Sequence, residues 1–96
     1  MYSLSIILPA YNEEMMIFKA VEEIDNVLKK SGICYEIIFV NDGSRDHTWD
    51  KIREVITNFS NIKGVNFTRN FGKEAAIKAG LFYSTGSCAV VMDCDM

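Results

Sequence analysis

No stretch of the chain approaches the ~20 consecutive apolar residues of a membrane-crossing helix, and the first apolar run is broken by the only proline, Pro9. No basic region precedes that run, so nothing at the N-terminus reads as a secretory leader. A cytoplasmic chain is the expectation. Basic residues are not in excess: ten Lys and Arg stand against thirteen Asp and Glu, for a formal net charge of −3. The absence of a basic stripe argues against nucleic acid as a partner. An anionic ligand would need local positive potential, from a few cations, helix N-termini or a metal. Cysteines are few, and Cys34, Cys88 and Cys94 fall in no metal-ligand spacing. Their odd number, with Cys34 and Cys88 inside apolar runs, leads to an expectation of buried free thiols in a reducing compartment. The lone histidine, His47, is read as a solvated residue in the first turn of a helix. No Gly-x-Gly-x-x-Gly follows the first strand, which argues against a dinucleotide oxidoreductase. Repeats and linkers are absent.

What is present is an ordinary globular composition, with 96 residues, 49% of them hydrophobic and 24% charged. That is one small domain. Residues 4–9 (LSIILP) form a wholly apolar run, as expected of a strand buried on both faces. Residues 13–31 read as a helix, with Ile17, Val21, Ile24, Val27 and Leu28 on one face. Asn12 is the expected N-cap, two glutamates fill the first turn, two lysines the last, and Gly32 stops it. Residues 34–40 form the second strand and residues 48–59 a helix carrying Trp49, Ile52, Ile56 and Phe59. Residues 64–68 form a third strand, 74–84 a third helix and 87–92 a fourth strand.

The order is therefore βαβαβαβ, the pattern of a mainly parallel α/β sheet with helices on both faces. Ligands of such sheets bind beyond the carboxyl ends of the strands. The rule selects residues 10–14, 41–46, 69–73 and 93–96, each polar or ionisable directly after an apolar strand. The last strand closes on Asp93 and Asp95 with no helix after it, which leaves a sheet edge and an apolar face uncovered. The expectation is a truncated domain spanning residues 1–96, or one that associates with other polypeptide.

Asp93 and Asp95 are two apart on an extended segment and so point the same way. Two hard carboxylates at one strand end suit Mg²⁺ or Mn²⁺, although a D-x-D triplet alone also occurs in many surface loops. Asp42, at the end of the second strand, is read as a ligand group able to accept the N–H of a base, whereas Asp46 is read as a helix cap. Tyr11 can stack a base or pack on its neighbours, and both readings stay open. Glu13 places a carboxylate beside the first strand end, while Glu14 is read as favouring the helix dipole. Lys73 stands ahead of a helix N-terminus, itself an anion site, and is read as a phosphate or base contact. Arg69 could equally be a solvated charge.

Taken in order, SIILPAYNEE, EIIFVNDGSRDHT, FTRNFGKEAAIKAG and VVMDCDM resemble the consecutive signature segments of family 2 glycosyltransferases with the GT-A fold. The resemblance is greatest to the branch that moves a sugar onto a polyprenyl phosphate (dolichyl or bactoprenol), and it covers essentially the whole chain as an N-terminal, Rossmann-like nucleotide-binding half. It implies that Pro9, Ala10, Tyr11 and Glu13 shape a uridine pocket and that Asp42 contacts the uracil. Lys73 would hold the nucleotide, Asp93 would face ribose and metal, and Asp95 would ligate the divalent ion. Cys94 and Met96 replace the alanine and leucine of the branch's usual D-A-D-L-Q, as spacers. Catalytic loops and membrane helices are expected after Met96.

The expected parent activity is transfer of a hexose from a UDP-sugar to a polyprenyl phosphate, with inversion and metal-assisted departure of UDP. It would act at the cytoplasmic face of a membrane, touched only through sequence after Met96, with a homo-oligomer possible. The chain alone is expected to be inactive. Two other readings are a non-catalytic nucleotide-binding module and a phospho-accepting receiver-like domain with Asp42 or Asp93 as acceptor.

Overall fold

The computed structural model describes residues 1–95. Seven elements alternate: β1 (Leu4–Ala10), α1 (Ile17–Leu28), β2 (Tyr35–Asp42), α2 (Thr48–Asn58), β3 (Ile62–Phe67), α3 (Lys73–Tyr83) and β4 (Cys88–Val91). The strands form one sheet in the order β3-β2-β1-β4. Every pairing is parallel, with Ile6 opposite Ile37 and Val90, and Ile37 opposite Ile62.

Alternation along the strands builds two cores. Ile6, Leu8 and Ala10 of β1 and Ile37 and Phe39 of β2 face α1 and α2, where Ile17, Ala20, Val21, Ile24, Ile52 and Val55 pack on them. Ile7, Ile38 and Val40 point to the opposite face, which α3 covers with Ala76. Helices thus lie on both faces, as the βαβαβαβ pattern requires. Seven consecutive residues of β2, Glu36 to Asp42, are buried, because a central parallel strand has no solvated side.

Several expectations change in detail. α1 begins at Ile17, not Glu13, and Asn12 does not cap it: Asn12 has a left-handed backbone, φ 53°. The N–H groups of Glu13 and Glu14 are bound by side chains at the start of α2 and just ahead of it, Thr48 Oγ1 and Asp46 Oδ2. With those donors bound there, both glutamates precede the helix. The two lysines fall at and beyond its end, Lys29 being the C-cap. Val27 is 71% exposed rather than part of the core. β2 runs on through Asn41 and Asp42, which pair with Asn66 and Phe67 of β3. β3 starts two residues earlier than expected and α3 one earlier, at Lys73. Phe59 lies past the end of α2 and is exposed.

The cysteine expectation holds for one residue of three. Cys94 is buried, whereas Cys34 and Cys88 are free but exposed. Cys34 precedes β2, and Cys88 opens β4, an edge strand whose four residues are all exposed. His47 is exposed at the start of α2, with Nδ1 3.0 Å from Asp50 Oδ2. Among the described residues no helix is long and apolar enough to cross a membrane.

Candidate functional site

The strand order decides where a ligand can sit. The chain runs outward from β1 to β2 to β3, then returns to the other side of β1 as β4. At such a reversal a crevice opens beyond the carboxyl ends of the strands. A cleft of about 350 Å³ lies there. β1 contributes Pro9 and Ala10, with Tyr11 and Glu13 just after it. β2 ends in Asp42, α3 opens with Lys73, and the segment after β4 brings Asp93, Cys94 and Asp95. Every site residue named from the sequence lines this one cleft. Met96 lies outside the described residues.

Each wall has its own support. Asp42 is buried, and its carboxylate accepts the N–H of Phe71 at 2.8 Å, the N–H of Gly72 at 3.1 Å and the Asn70 side-chain amide at 3.3 Å. The residue read as a base ligand therefore also holds the loop that presents Lys73. Gly43 packs against the same loop: a Cβ there would lie 2.2 Å from the Arg69 carbonyl carbon. Arg69, for which an anion contact and a solvated charge were equally open, lies over the Phe71 ring at 5.0 Å and does not line the cleft.

The Tyr11 wall is tied to the second loop. The Asn12 N–H donates to Ser44 Oγ at 2.9 Å, and Asn12 Oδ1 accepts the Arg45 N–H at 2.8 Å. Asp46 is not the cap residue of α2, a position His47 fills; from one residue earlier its Oδ1 accepts the Thr48 N–H at 2.9 Å, and Asp46 also binds Glu14. Burial would raise the Asp46 carboxyl, but the Thr48 hydroxyl and the N–H groups of Thr48 and Glu14 hold it below the usual range. Tyr11 itself is 43% exposed and lines the cleft.

Negative charge accumulates in the cleft. Four carboxylates line it, those of Glu13, Asp42, Asp93 and Asp95, against one ammonium, that of Lys73. Burial, then the charges of Asp95, Asp46 and Asp93, push the Glu13 carboxyl above its ordinary value. Lys73 Nζ lies 2.8 Å from Asp93 Oδ1, and both side chains are more than 60% exposed. Cys94, expected only as a spacer, is 2% exposed and joins the α1-side core. It anchors the segment from which the two flanking aspartates project. Among the described residues, no three His, Cys, Asp or Glu side chains converge as a ready-made metal site.

A second hollow, of about 240 Å³, runs between α1 and β4 and is lined by Leu4, Ile6, Ile24, Val27, Leu28, Val90 and Met92 with Glu23 at its rim. It is almost wholly apolar and lacks the convergent polar groups that orient a small polar ligand. The cleft at the strand ends is the site with chemistry.

Sequence reasoning passed over Glu36. This fully buried carboxylate accepts from the Ser5 hydroxyl at 2.6 Å and the Thr85 N–H at 2.7 Å. Its Oε1 has no well-angled hydrogen bond and is matched instead by the Lys63 ammonium at 2.8 Å. A charge inside an apolar strand sequence, which must find a partner when buried, was the available signal.

The fold and the cleft define a class, the GT-A glycosyltransferases. The structure superimposes on the mannosyltransferase PcManGT from Pyrobaculum calidifontis, solved in complex with GDP-Man and Mn²⁺, with a TM-score of 0.83 and 24% identity over 98% of this chain and 28% of that one. S. aureus TarS 1–349, solved in complex with UDP, gives a TM-score of 0.78 and 25% identity over 97% of this chain and 27% of that one. The model of glycosyl transferase family 2 matches residues 5–96, so the chain belongs to that family. Among its relatives, the dolichyl-phosphate beta-glucosyltransferase ALG5D of Trichomonas vaginalis is 40% identical over 96 residues, which is 95% of this chain and 29% of that protein. The chain thus spans under a third of that relative's length.

Proposed function

We propose that this chain forms the donor-binding half of a hexosyltransferase that moves a sugar from a UDP-sugar to a polyprenyl phosphate, with inversion. The observation that carries the reading is the convergence of the ends of β1 and β2, the segment after β4 and the N-terminus of α3 on one cleft holding Tyr11, Glu13, Asp42, Lys73, Asp93 and Asp95. Pro9, Ala10 and the Tyr11 ring form an aromatic-lined wall for the base. Three donors already sit on the Asp42 carboxylate, the Phe71 and Gly72 N–H groups and the Asn70 amide, and the uracil N–H would be a fourth on its about four lone-pair sites. Lys73 would meet the diphosphate beside the N-terminus of α3, where helix N–H groups favour anions.

The donor set suits a divalent cation. Asp93 and Asp95 offer hard oxygens, and beside them the Glu13 carboxyl is raised first by burial and then by the charges of Asp95, Asp46 and Asp93. Asp93 and Asp95 would hold Mg²⁺ or Mn²⁺, with diphosphate oxygens and water completing the shell. When bound, such an ion acts as a Lewis acid that stabilises the departing nucleotide. A polyprenyl phosphate is largely ionised at neutral pH, the second pKa of a phosphomonoester being roughly 6. Its attack needs positioning more than a general base. The acceptor-binding groups are proposed to lie on polypeptide beyond this chain, so the chain alone binds donor without sustained transfer.

The experiment is a calorimetric titration of UDP into the chain with and without Mn²⁺, repeated on Asp95→Asn. Among the described residues no hydrogen bond or ion pair of Asp95 holds a loop, whereas an Asp42 variant would mix a lost base contact with a loosened loop. Metal-enhanced UDP binding that disappears in Asp95→Asn is the expected result. Equal enhancement in both proteins would remove Asp95 from the metal site, and sustained sugar transfer by the purified chain would overturn its silence.

A further inference from the structure

Lys73 sits where helix stability does not explain it. It is the first residue of α3, and a cation at a helix N-terminus opposes the macrodipole. Its ammonium lies 2.8 Å from Asp93 Oδ1, a pair 62% and 65% exposed. Of the cleft's carboxylates, Asp42 is already engaged by the N–H groups of Phe71 and Gly72. Lys73 is therefore the one positive group facing Glu13, Asp93 and Asp95 among the described residues lining the cleft. With its side chain 62% exposed, Lys73 is not walled in.

We propose that Lys73 is a resident counter-ion of the aspartate pair, which an arriving divalent cation displaces and so releases to the diphosphate. The inference rests on the metal site proposed above and deepens it. An ammonium at hydrogen-bond distance from Asp93 Oδ1 and a divalent ion on the same carboxylate repel each other and crowd one oxygen. The metal therefore competes with Lys73 for Asp93. Once displaced, Lys73 is an unpaired cation at the mouth of a helix N-terminus, placed to meet an anion. Metal and nucleotide binding become coupled through one side chain: the metal meets an internal competitor, and the diphosphate finds its lysine free only after the metal has bound. Before the metal arrives, the pair also limits repulsion between Asp93 and Asp95.

The test measures Mn²⁺ binding without nucleotide, by electron paramagnetic resonance of free Mn²⁺, for the chain and for Lys73→Met, Lys78→Met and Asp95→Asn. Thermal melts check that each variant is folded. Lys78, exposed on the same helix, does not line the cleft and controls for the loss of one charge. Lys73→Met is expected to bind Mn²⁺ roughly two- to fivefold more tightly, in keeping with the modest strength of exposed ion pairs. Lys78→Met should stay near the parent, and UDP affinity at saturating Mn²⁺ should fall in Lys73→Met. A Lys73→Met protein that binds Mn²⁺ no more tightly, or an equal gain in Lys78→Met, would overturn the counter-ion while leaving the metal site standing. Mn²⁺ binding unchanged in Asp95→Asn would remove Asp95 from the metal site and so overturn the aspartate pair on which the counter-ion rests. In a second readout, the Lys73 ε-methylene ¹³C resonance is expected to shift on titration with Mg²⁺ alone; no shift at saturating Mg²⁺ would also overturn the displacement.

Discussion

Glu36 and Asp42 stand on the same face of β2 and hold the two ends of α3. Asp42 accepts the N–H groups of Phe71 and Gly72 ahead of the helix, and Glu36 accepts the Thr85 N–H just past its end. The even spacing puts both carboxylates on the α3 side of the pleat. They matter because α3 itself fully buries only Ala76 and Gly80. Its hold on the sheet depends on these polar clamps as well as on packing.

Glu36 should make the fold acid-sensitive. Burial alone would raise its carboxyl, but the Lys63 ammonium, the Ser5 hydroxyl and the Thr85 N–H and hydroxyl lower it to about 2, against an ordinary value of 4.5. A carboxylate depressed on folding stabilises above its unfolded value, and that contribution fades as pH falls through the folded one. Stability should drop between about pH 5 and pH 2, by an amount on the order of 3 kcal/mol. Urea denaturation across that range measures it. Glu36→Gln should be destabilised at pH 7 and show a flatter acid limb. An unchanged acid limb would mean that Glu36 titrates normally.

Asp42→Ala should loosen one loop before it threatens the fold. Hydrogen bonds to a charged acceptor contribute roughly 1.5–3 kcal/mol, so a loss of about 2 kcal/mol is expected. Amide hydrogen exchange at Phe71 and Gly72 should accelerate more than exchange in β1. Uniform acceleration across the sheet would show that Asp42 supports the whole domain rather than the loop.

Gly43 is expected to tolerate no side chain. Its φ is 66°, and a Cβ would sit 2.2 Å from the Arg69 carbonyl carbon and 2.3 Å from the Asn70 nitrogen. Backbone atoms cannot swing aside as a side-chain tip can. Gly43→Ala should cost at least about 2 kcal/mol, the left-handed dihedral and the clash acting together. Denaturant midpoints check this. A near-neutral result would show that the two loops are not in contact.

The three thiols should react unequally. Burial, with the charges of Glu13 and Asp95, pushes the Cys94 thiol up to about 12, and reactivity follows the thiolate. Iodoacetamide at pH 8 should label the exposed Cys34 and Cys88 in the folded chain, and Cys94 only in denaturant. Mass spectrometry counts the adducts. Rapid labelling of Cys94 in the native state would place the Asp93–Asp95 segment away from the core.

Much of the site was legible because its logic is local to each strand end. An apolar run that stops at a polar residue marks a strand terminus, and parallel topology sends all such termini to one side. That rule placed Tyr11, Glu13, Asp42, Lys73, Asp93 and Asp95 together before any coordinates. The start of α1 was not legible, because the groups that bind the N–H groups of Glu13 and Glu14, Thr48 and Asp46, lie more than thirty residues away. Cys34 and Cys88 were misjudged because an apolar neighbourhood in sequence does not tell an edge or a strand end from a sheet centre.

Hydrophobic periodicity and turn residues, which act within a few positions, determined the element order, the parallel sheet and the set of residues at its carboxyl end. Tertiary structure alone decided that Asp42 serves a neighbouring loop, that Lys73 rests on Asp93, that Cys94 is an anchor and that Glu36 finds Lys63. Each of these joins groups that are distant in the chain, and their electrostatics and hydrogen bonding exist only once the sheet has brought them within about 3 Å of one another.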